Sequence, residues 1–599
     1  MVAYAEALMP ARASRRHGDG GGMRTIRILV VLLLVIIVGG LALRLSGLGF
    51  GLERSPAIQP GSALVLDLEG DYVEAPEAPL LARILGQHRV PLISVLSELR
   101  KAGRDSRLST VVLRIRGLDI GWAKAQDLRD AILALHDRGK HTYAYIECER
   151  FGANREYYVA SAADEVWLSP GSRAPFVGLA ADYVFLGGLW EKLGVAVEVE
   201  KVGKYKSAVE SITATQMSEA NAEMVNSIMD SVETQLVSAV ADRRKLSPTD
   251  VRSIIDQAPM TPQEMLAAKL IDGVGYLDTL LEKAGKPPVV EGKDYAAVKP
   301  RSVGFSPVAT FALVYGTGSV VHGEAKISRS GEPVLASTTV SRALREAADD
   351  ADIKAIVFRI DSPGGSPLAS DIVYQAVLEA KKKKPLVVSL SDVAASGGYY
   401  VAAAAHTIVS QPGTLTGSIG VFVIRPVIGG LLDKLGIGHA VVTRGAHADL
   451  LLSTQPLTPG TRERLESEVR SVYDLFVERV SSGRSLEPAY VDEVGQGRVW
   501  TGVQANEKKL VNVLGGLYVA VDRAKEQAGL SKDADVALLP YPPPEPLVEQ
   551  IRKLAFGGAL AGAGAQLPLP DALRRIAVSL AELPSGSPLL VPPVVIDVH

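Results

Sequence analysis

Cysteine is almost missing: Cys148 is the single one in 599 residues. One thiol forms no intrachain disulfide and no thiolate metal cluster, so neither a disulfide framework nor a zinc module organises the chain. An excess of either charge is missing too. Lysine and arginine number 64 against 67 aspartates and glutamates, and a net charge of −3 offers no basic surface to nucleic acid. Aromatic residues are sparse at 5%. Gly, Ala, Val and Leu dominate in their place, a composition that suits α/β layers with buried parallel strands. There is no phosphate-binding glycine loop and no cluster of metal ligands, so no cofactor is expected. Length sets a last bound, because 599 residues exceed what one core serves. Two or more domains of roughly 100–250 residues are expected.

What is there begins with one apolar run. Ile28 to Leu43 carries no charge, Arg44 interrupts, and apolar and glycine residues continue to Phe50. With Arg44 snorkelling, residues 28–50 are long enough for a transmembrane anchor. Arg12, Arg15, Arg16, Arg24 and Arg27 lie in the preceding basic tail, 1–27, which places that tail in the cytoplasm. A cleaved signal peptide is the competing reading. No A-x-A-like site closes the run, so an uncleaved single-pass anchor is expected. Met1 to Gly22 reads as disordered, with Met23 as an alternative start. In a bacterium this means the inner (plasma) membrane, with the bulk of the chain in the periplasm.

The chain also repeats itself. Ala63-Leu-Val-Leu-Asp-Leu-Glu-Gly70 resembles Phe311-Ala-Leu-Val-Tyr-Gly-Thr-Gly318. Val112-Leu-Arg-Ile115 matches Val357-Phe-Arg-Ile360 at an offset of 245 (357 − 112), and Tyr157-Tyr-Val-Ala160 matches Tyr399-Tyr-Val-Ala402 at 242 (399 − 157). Lys269-Leu270 matches Lys509-Leu510 at 240 (509 − 269). The offset is too steady for chance. It implies two related domains, 62–286 and 307–529, joined by a Pro/Gly/Lys-rich linker at 287–306. Each copy alternates β-prone runs with runs of helical period, which implies parallel strands covered by helices. A Pro/Gly/Ala-rich extension, 530–599, follows; its role has no signature.

Within the second copy, the stretch from Ser391 to Gly420 concentrates the chemistry. A β-prone run, Leu386 to Leu390, leads into Ala394-Ala-Ser-Gly-Gly398 and then an apolar helical run, Tyr399 to Ala405. A serine on a sharp strand-to-helix turn projects its hydroxyl, with the next backbone N–H groups turned the same way. Upstream, Arg359-Ile-Asp-Ser-Pro-Gly-Gly-Ser366 follows another strand. Its paired glycines, Gly364 and Gly365, permit a close approach to a ligand, and an N–H from them with that of Gly397 would complete an oxyanion hole.

These blocks, DSPGGS, AASGGYY and PGTLTGSIGV, resemble the S49 serine peptidases, which have a ClpP/crotonase-type core. The two-copy layout with an amino-terminal anchor is similar to that family's long form, and the resemblance runs from about Leu64 to Gly529. It implies an α/β fold of two tandem ClpP/crotonase-like domains preceded by one N-terminal transmembrane helix. It implies Ser396 as the nucleophile and a lysine, not a histidine, as the base. The block GKYKSAVES resembles the family's base-bearing loop, with Lys206 at the matching position. Lys201 and Lys204 stand beside it, and sequence alone does not choose among the three. Such a lysine must lose its usual preference for the proton, which sits near pH 10.4 in water; apolar burial can do this and a neighbouring carboxylate would oppose it. The resemblance further gives Ser418 the task of orienting the amine. His406, His439 and His447 would serve a Ser-His-Asp alternative, but none sits in a recognisable setting.

The repeat then sharpens the reading. Subtracting 242 from 396 lands on Asn154, and from 418 on Phe176, so the first copy lacks both serines. Its loop Arg116-Gly-Leu-Asp119 lacks the Pro-Gly-Gly run. Adding 242 to 206 lands on Ala448, so the second copy lacks the lysine. Each copy carries half of a dyad, and a working site needs both, within one chain or between neighbours. The family implies hydrophobic peptide substrates, signal peptides above all, and self-association into a homo-oligomer such as a tetramer. Two other classes stay open: a crotonase-like acyl-CoA enzyme, which gives Ser396 and Lys206 no role, and a non-catalytic scaffold, in which no acylating probe would reach Ser396.

Overall fold

The computed structural model describes residues 58–74, 90–150, 152–173, 175–324 and 333–543. The basic tail, the expected anchor at 28–50 and the extension beyond 543 lie outside the described residues. Among the described residues no helix is long and apolar enough to cross a membrane.

Among the described residues, two large sheets each carry six parallel strands in the same order. In the first, the strands run Gly273–Val274, Glu165–Leu168, His141–Ile146, Leu108–Leu118, Ser62–Gly70 and Val289–Glu291. In the second the order is Val513–Leu514, Thr407–Ser410, Leu386–Ala395, Ile353–Ser362, Ala309–Thr317 and Val536–Tyr541. The starts of matched strands differ by between 240 (513 − 273) and 247 (309 − 62) residues. The central strands are apolar on both sides, as in Val111–Leu113 and Ile356–Phe358, because helices cover both faces of a parallel sheet. Leu96 and Leu99 of helix Leu92–Arg104 and Leu128 and Ile132 of helix Trp122–His136 fill the first core. Val340 and Leu344 of helix Ser337–Asp349 and Val373 and Val377 of helix Pro367–Lys381 fill the second. A 26-residue helix closes each copy, Glu219–Arg244 and Pro459–Arg484.

The outer strands depart from the expected boundaries. Val289–Glu291, inside the stretch read as a linker, pairs with Ser62–Gly70, and Lys101 ties the following turn down by donating to the carbonyls of Tyr295 and Val298 at 3.0 Å each. Val536–Tyr541, beyond the boundary set at 529, pairs with Ala309–Thr317. A strand of three to six residues is too short to show a period; what recruits it is the open edge of a sheet built far away in sequence.

Two features set the second copy apart. At Val393–Ala395 its central strand leaves Thr407–Ser410 and takes up Leu415–Gly417, which pairs antiparallel with Val499–Thr501. Farther on, Val421–Val427 forms an antiparallel ribbon with Ala196–Val202 of the first copy. Arg425 holds Glu198 at 2.5 Å across that ribbon, and Phe422 and Ile424 pack on Val209 and Ile212. The ribbon delivers the loop after Val202 to the second sheet.

Candidate active site

Ser396 stands where strand Leu386–Ala395 turns into helix Gly397–Ala402. Its φ of 55° and ψ of −116° lie where a residue with a Cβ rarely goes, and the surroundings hold it there. Its N–H donates to the Gly417 carbonyl and its carbonyl accepts from Tyr400 N–H, both at 2.8 Å. Crowding explains the glycines that follow: a Cβ on Gly398 would fall 2.5 Å from the Ser362 carbonyl oxygen.

The loop Pro363 to Gly365 lies against this corner. A Cβ on Gly397 would stand 3.0 Å from Gly365 N and 3.1 Å from Gly364 Cα. The two glycines are not equivalent. Gly364 N–H donates to Ser362 Oγ at 3.2 Å, and its carbonyl accepts from Val320 N–H at 2.8 Å. Gly365 N–H enters no hydrogen bond among the described residues, so it is the donor of the pair left free to face a ligand beside Gly397.

Lys206 reaches the same point from the first copy. Its side chain is wholly buried, and Nζ lies 2.9 Å from Ser396 Oγ, 3.0 Å from Ser418 Oγ and 3.1 Å from the Ser418 carbonyl oxygen. No carboxylate is among its partners, so burial alone acts on the amine and holds its pKa well below the ordinary lysine range. Ser418 sits at φ 51°, held by its N–H donating to the Arg498 carbonyl at 2.7 Å. Two further glycines shape the slot. A Cβ on Gly420 would touch Lys206 Cδ at 3.1 Å, and one on Gly497, at φ 77°, would strike the Lys206 backbone nitrogen at 2.5 Å.

The other candidates are elsewhere. Lys201 is exposed and donates to the Lys206 carbonyl at 3.3 Å; Lys204, also exposed, lies 3.9 Å from Glu223. His406 Nδ1 accepts from Leu386 N–H at 3.4 Å, His447 Nδ1 pairs with Thr461 Oγ1 at 3.1 Å, and His439 is exposed on a loop. In the first copy, Asn154 at the counterpart of Ser396 is consumed by its own loop, donating to the Gly178 carbonyl at 2.7 Å, while the Phe176 ring packs at a tilt against Tyr157, 5.0 Å between centroids.

Sequence reasoning missed a cluster of charges buried between the copies. Arg359, wholly buried, donates to Glu74 at 2.9 and 3.0 Å and to Asp127 at 2.7 Å. Lys124 lies 3.0 Å from Asp361 and 3.3 Å from Asp392. Asp361 accepts from Val393 N–H at 3.1 Å, while Asp392 accepts from the N–H groups of Gly121 and Lys124 at 3.1 and 3.0 Å. These first-copy groups therefore grip the two strand ends that carry Gly365 and Ser396. Burial pushes the carboxyls of Asp361 and Asp127 up, and that of Asp130 to about 6. The available signal was an arginine inside an otherwise apolar strand, Val357-Phe-Arg-Ile360, which requires a buried counter-charge.

A hydroxyl on a strained turn, a buried amine beside it whose pKa is held well below the ordinary lysine range, and two backbone N–H groups at the same corner suit a serine hydrolase that works by acyl transfer. The model of peptidase family S49 matches residues 134–290 and 379–531. The chain is 33% identical over 493 residues to Serine protease SPPA, chloroplastic, of Arabidopsis thaliana, covering 80% of this chain and 71% of that one. It is 29% identical over 544 residues to Protease 4 of Haemophilus influenzae, covering 84% and 85%, and 30% identical over 501 residues to Protease 4 of Salmonella typhi, covering 78% and 79%. The chain belongs to peptidase family S49, and it is a serine endopeptidase.

Proposed function

We propose that the protein is a membrane-anchored peptidase that cuts cleaved signal peptides and other unfolded hydrophobic peptides with a Ser396/Lys206 dyad. The single observation that carries the dyad is the buried amine of Lys206, 2.9 Å from Ser396 Oγ with no acid beside it. A neutral amine has two N–H bonds and one lone pair. The two N–H groups donate to Ser418 Oγ and the Ser418 carbonyl, at 3.0 and 3.1 Å, which turns the lone pair toward Ser396.

In the reaction, Ser396 O–H gives its proton to Lys206 as Oγ bonds to the peptide carbonyl carbon. The negative oxygen of the tetrahedral intermediate is held by the N–H groups of Gly397 and Gly365. Lys206, now an ammonium, hands the proton to the leaving amine as the C–N bond breaks. A water then loses its proton to Lys206, attacks the acyl-serine, and releases the acid while Ser396 regains its hydrogen.

The place of action follows from the segment 28–50 acting as an anchor, with the catalytic copies in the periplasm of a bacterial inner membrane, where spent apolar segments collect. Self-association into a homo-oligomer such as a tetramer belongs to the same reading. The test is hydrolysis of a hydrophobic peptide by the purified chain. Ser396→Ala and Lys206→Ala each abolish turnover, whereas Lys201→Ala and Lys204→Ala retain most of it. The rate rises with pH through an apparent pKa well below that of free lysine. Turnover surviving in Lys206→Ala would overturn the base assignment.

A further inference from the structure

A short turn of the second copy, residues 495–498, holds the lysine loop and the serine that orients the amine at the same time. Tyr205 N–H donates to the Gln496 carbonyl at 2.8 Å, Ser418 N–H to the Arg498 carbonyl at 2.7 Å, and Gly497 N–H to the Ile419 carbonyl at 2.7 Å. Tyr205 directly precedes Lys206. The Lys206 amine owes its low affinity for a proton to dryness alone. Whatever keeps this loop and this turn in contact therefore guards the chemistry, because water reaching the amine would restore its ordinary preference for the proton.

The Arg498 side chain spans that seam. Its guanidinium carbon lies 4.6 Å from the centroid of the Tyr205 ring and 4.5 Å from that of Trp500. Its Nη1 donates to Glu223 at 2.5 Å, and the Tyr205 hydroxyl donates to both Glu223 carboxylate oxygens at 3.0 Å. Glu223 belongs to helix Glu219–Arg244 of the first copy, so one side chain of the second copy gathers two elements of the first. The side chain of Arg498 is only 14% exposed, a setting in which a cation over aromatic rings binds more firmly than in water. A flat guanidinium can cover a ring and pair with a carboxylate at once, which an ammonium cannot. The first copy has nothing equivalent: Thr261 and Thr501 cap matching helices, and the residues before Thr261, Ala258-Pro-Met260, include no arginine. The arginine thus stands only on the copy that faces the lysine.

We infer that Arg498 is a positioning residue, which presses the loop bearing Lys206 onto the turn holding Ser418 and so keeps water out of the slot around the amine. None of its side-chain contacts is a reacting atom. The other ionisable groups at the seam are Lys204, 3.9 Å from Glu223 and 4.8 Å from the Tyr205 ring, Lys201 on the Lys206 carbonyl, and Lys508 over Trp500 at 4.5 Å. Hydrogen bonds from Arg498 and Tyr205 hold the Glu223 carboxyl below its usual range, so it stays charged where the peptidase works.

This inference rests on Lys206 as the base, and the test is the pH dependence of peptide hydrolysis by the full chain. In Arg498→Met the acid limb moves up by about one pH unit, the rate at neutral pH falls about tenfold, KM stays near the parent value and the rate recovers above the new limb. Arg498→Lys keeps the charge without the flat stack and gives a smaller shift. Glu223→Gln, at a side chain 50% exposed on the other copy, moves the limb the same way and serves as the readout if Arg498→Met does not fold. Arg252→Ala removes an ion pair with Glu233 of the same helix and leaves the limb in place. A limb unmoved in Glu223→Gln or in folded Arg498→Met, a rate lowered equally at every pH, or an equal shift in Arg252→Ala overturns the role of Arg498. A parent limb in the ordinary lysine range, or turnover in Lys206→Ala, overturns the base assignment and this inference with it, so the two failures are distinguishable.

Discussion

An amine kept in a dry slot works against folding at every pH where it would rather carry a proton. Burial holds the Lys206 pKa well below the ordinary lysine range in the folded chain, whereas the unfolded chain keeps that ordinary range. The unfolded state thus binds more protons, and this residue's penalty shrinks as pH rises. Lys206→Met, of similar length and apolar, is therefore more stable than the parent at neutral pH. The gain fades toward pH 10, by about 1.4 kcal/mol for each pH unit in the window where only the unfolded chain is protonated. Denaturant unfolding across a pH series checks this; a gain that grew with pH would refute the neutral amine. Ser418 acts one step out. Ser418→Ala leaves the amine beside Ser396 but frees it to rotate, and the loss is about 10²-fold in kcat with KM little changed. Steady-state kinetics on a peptide substrate separate the two constants.

At the scale of elements, the helix Trp122–His136 of the first copy matters more to the second copy's site than to its own. Its amino end receives Asp392, and its Lys124 bridges Asp361 and Asp392 at the ends of the strands carrying the glycine loop and the serine. Lys124→Met leaves two partly buried carboxylates without their cation, which costs about 1–3 kcal/mol of stability. Because those strand ends aim Gly365 and Ser396, kcat falls while KM stays close to the parent value. Chemical unfolding and steady-state kinetics on one preparation measure both. A variant as stable as the parent would show that the cluster is not the clamp described here.

For the whole molecule, the two copies share a ribbon and a buried charge network that neither can satisfy alone. Arg359 of the second copy has its counter-charges, Glu74 and Asp127, on the first, and Glu198 of the first has Arg425 on the second. Separating the copies would expose these ions unpaired. Residues 58–543 accordingly unfold in one transition in scanning calorimetry, and Arg425→Ala lowers its midpoint without splitting it. Two resolved transitions in the parent would show that the copies are energetically independent.

By itself the sequence determined the α/β layering, the duplication and which copy lacks which group, since apolar runs, turn residues and a constant offset are local and additive. The strained corner at Ser396 was legible as a strand running into Ser-Gly-Gly. Only the tertiary structure decided the rest. It buried Lys206 beside Ser396 and left Lys201 and Lys204 exposed, because burial belongs to a packed environment and not to a motif. It left Gly365 rather than Gly364 free, since a serine two residues back claims the other N–H. It also brought the halves together within one chain, through a ribbon whose strands lie more than two hundred residues apart. No period or propensity along the chain encodes such a meeting; it arises when two distant edges each satisfy the hydrogen bonds that the other leaves open.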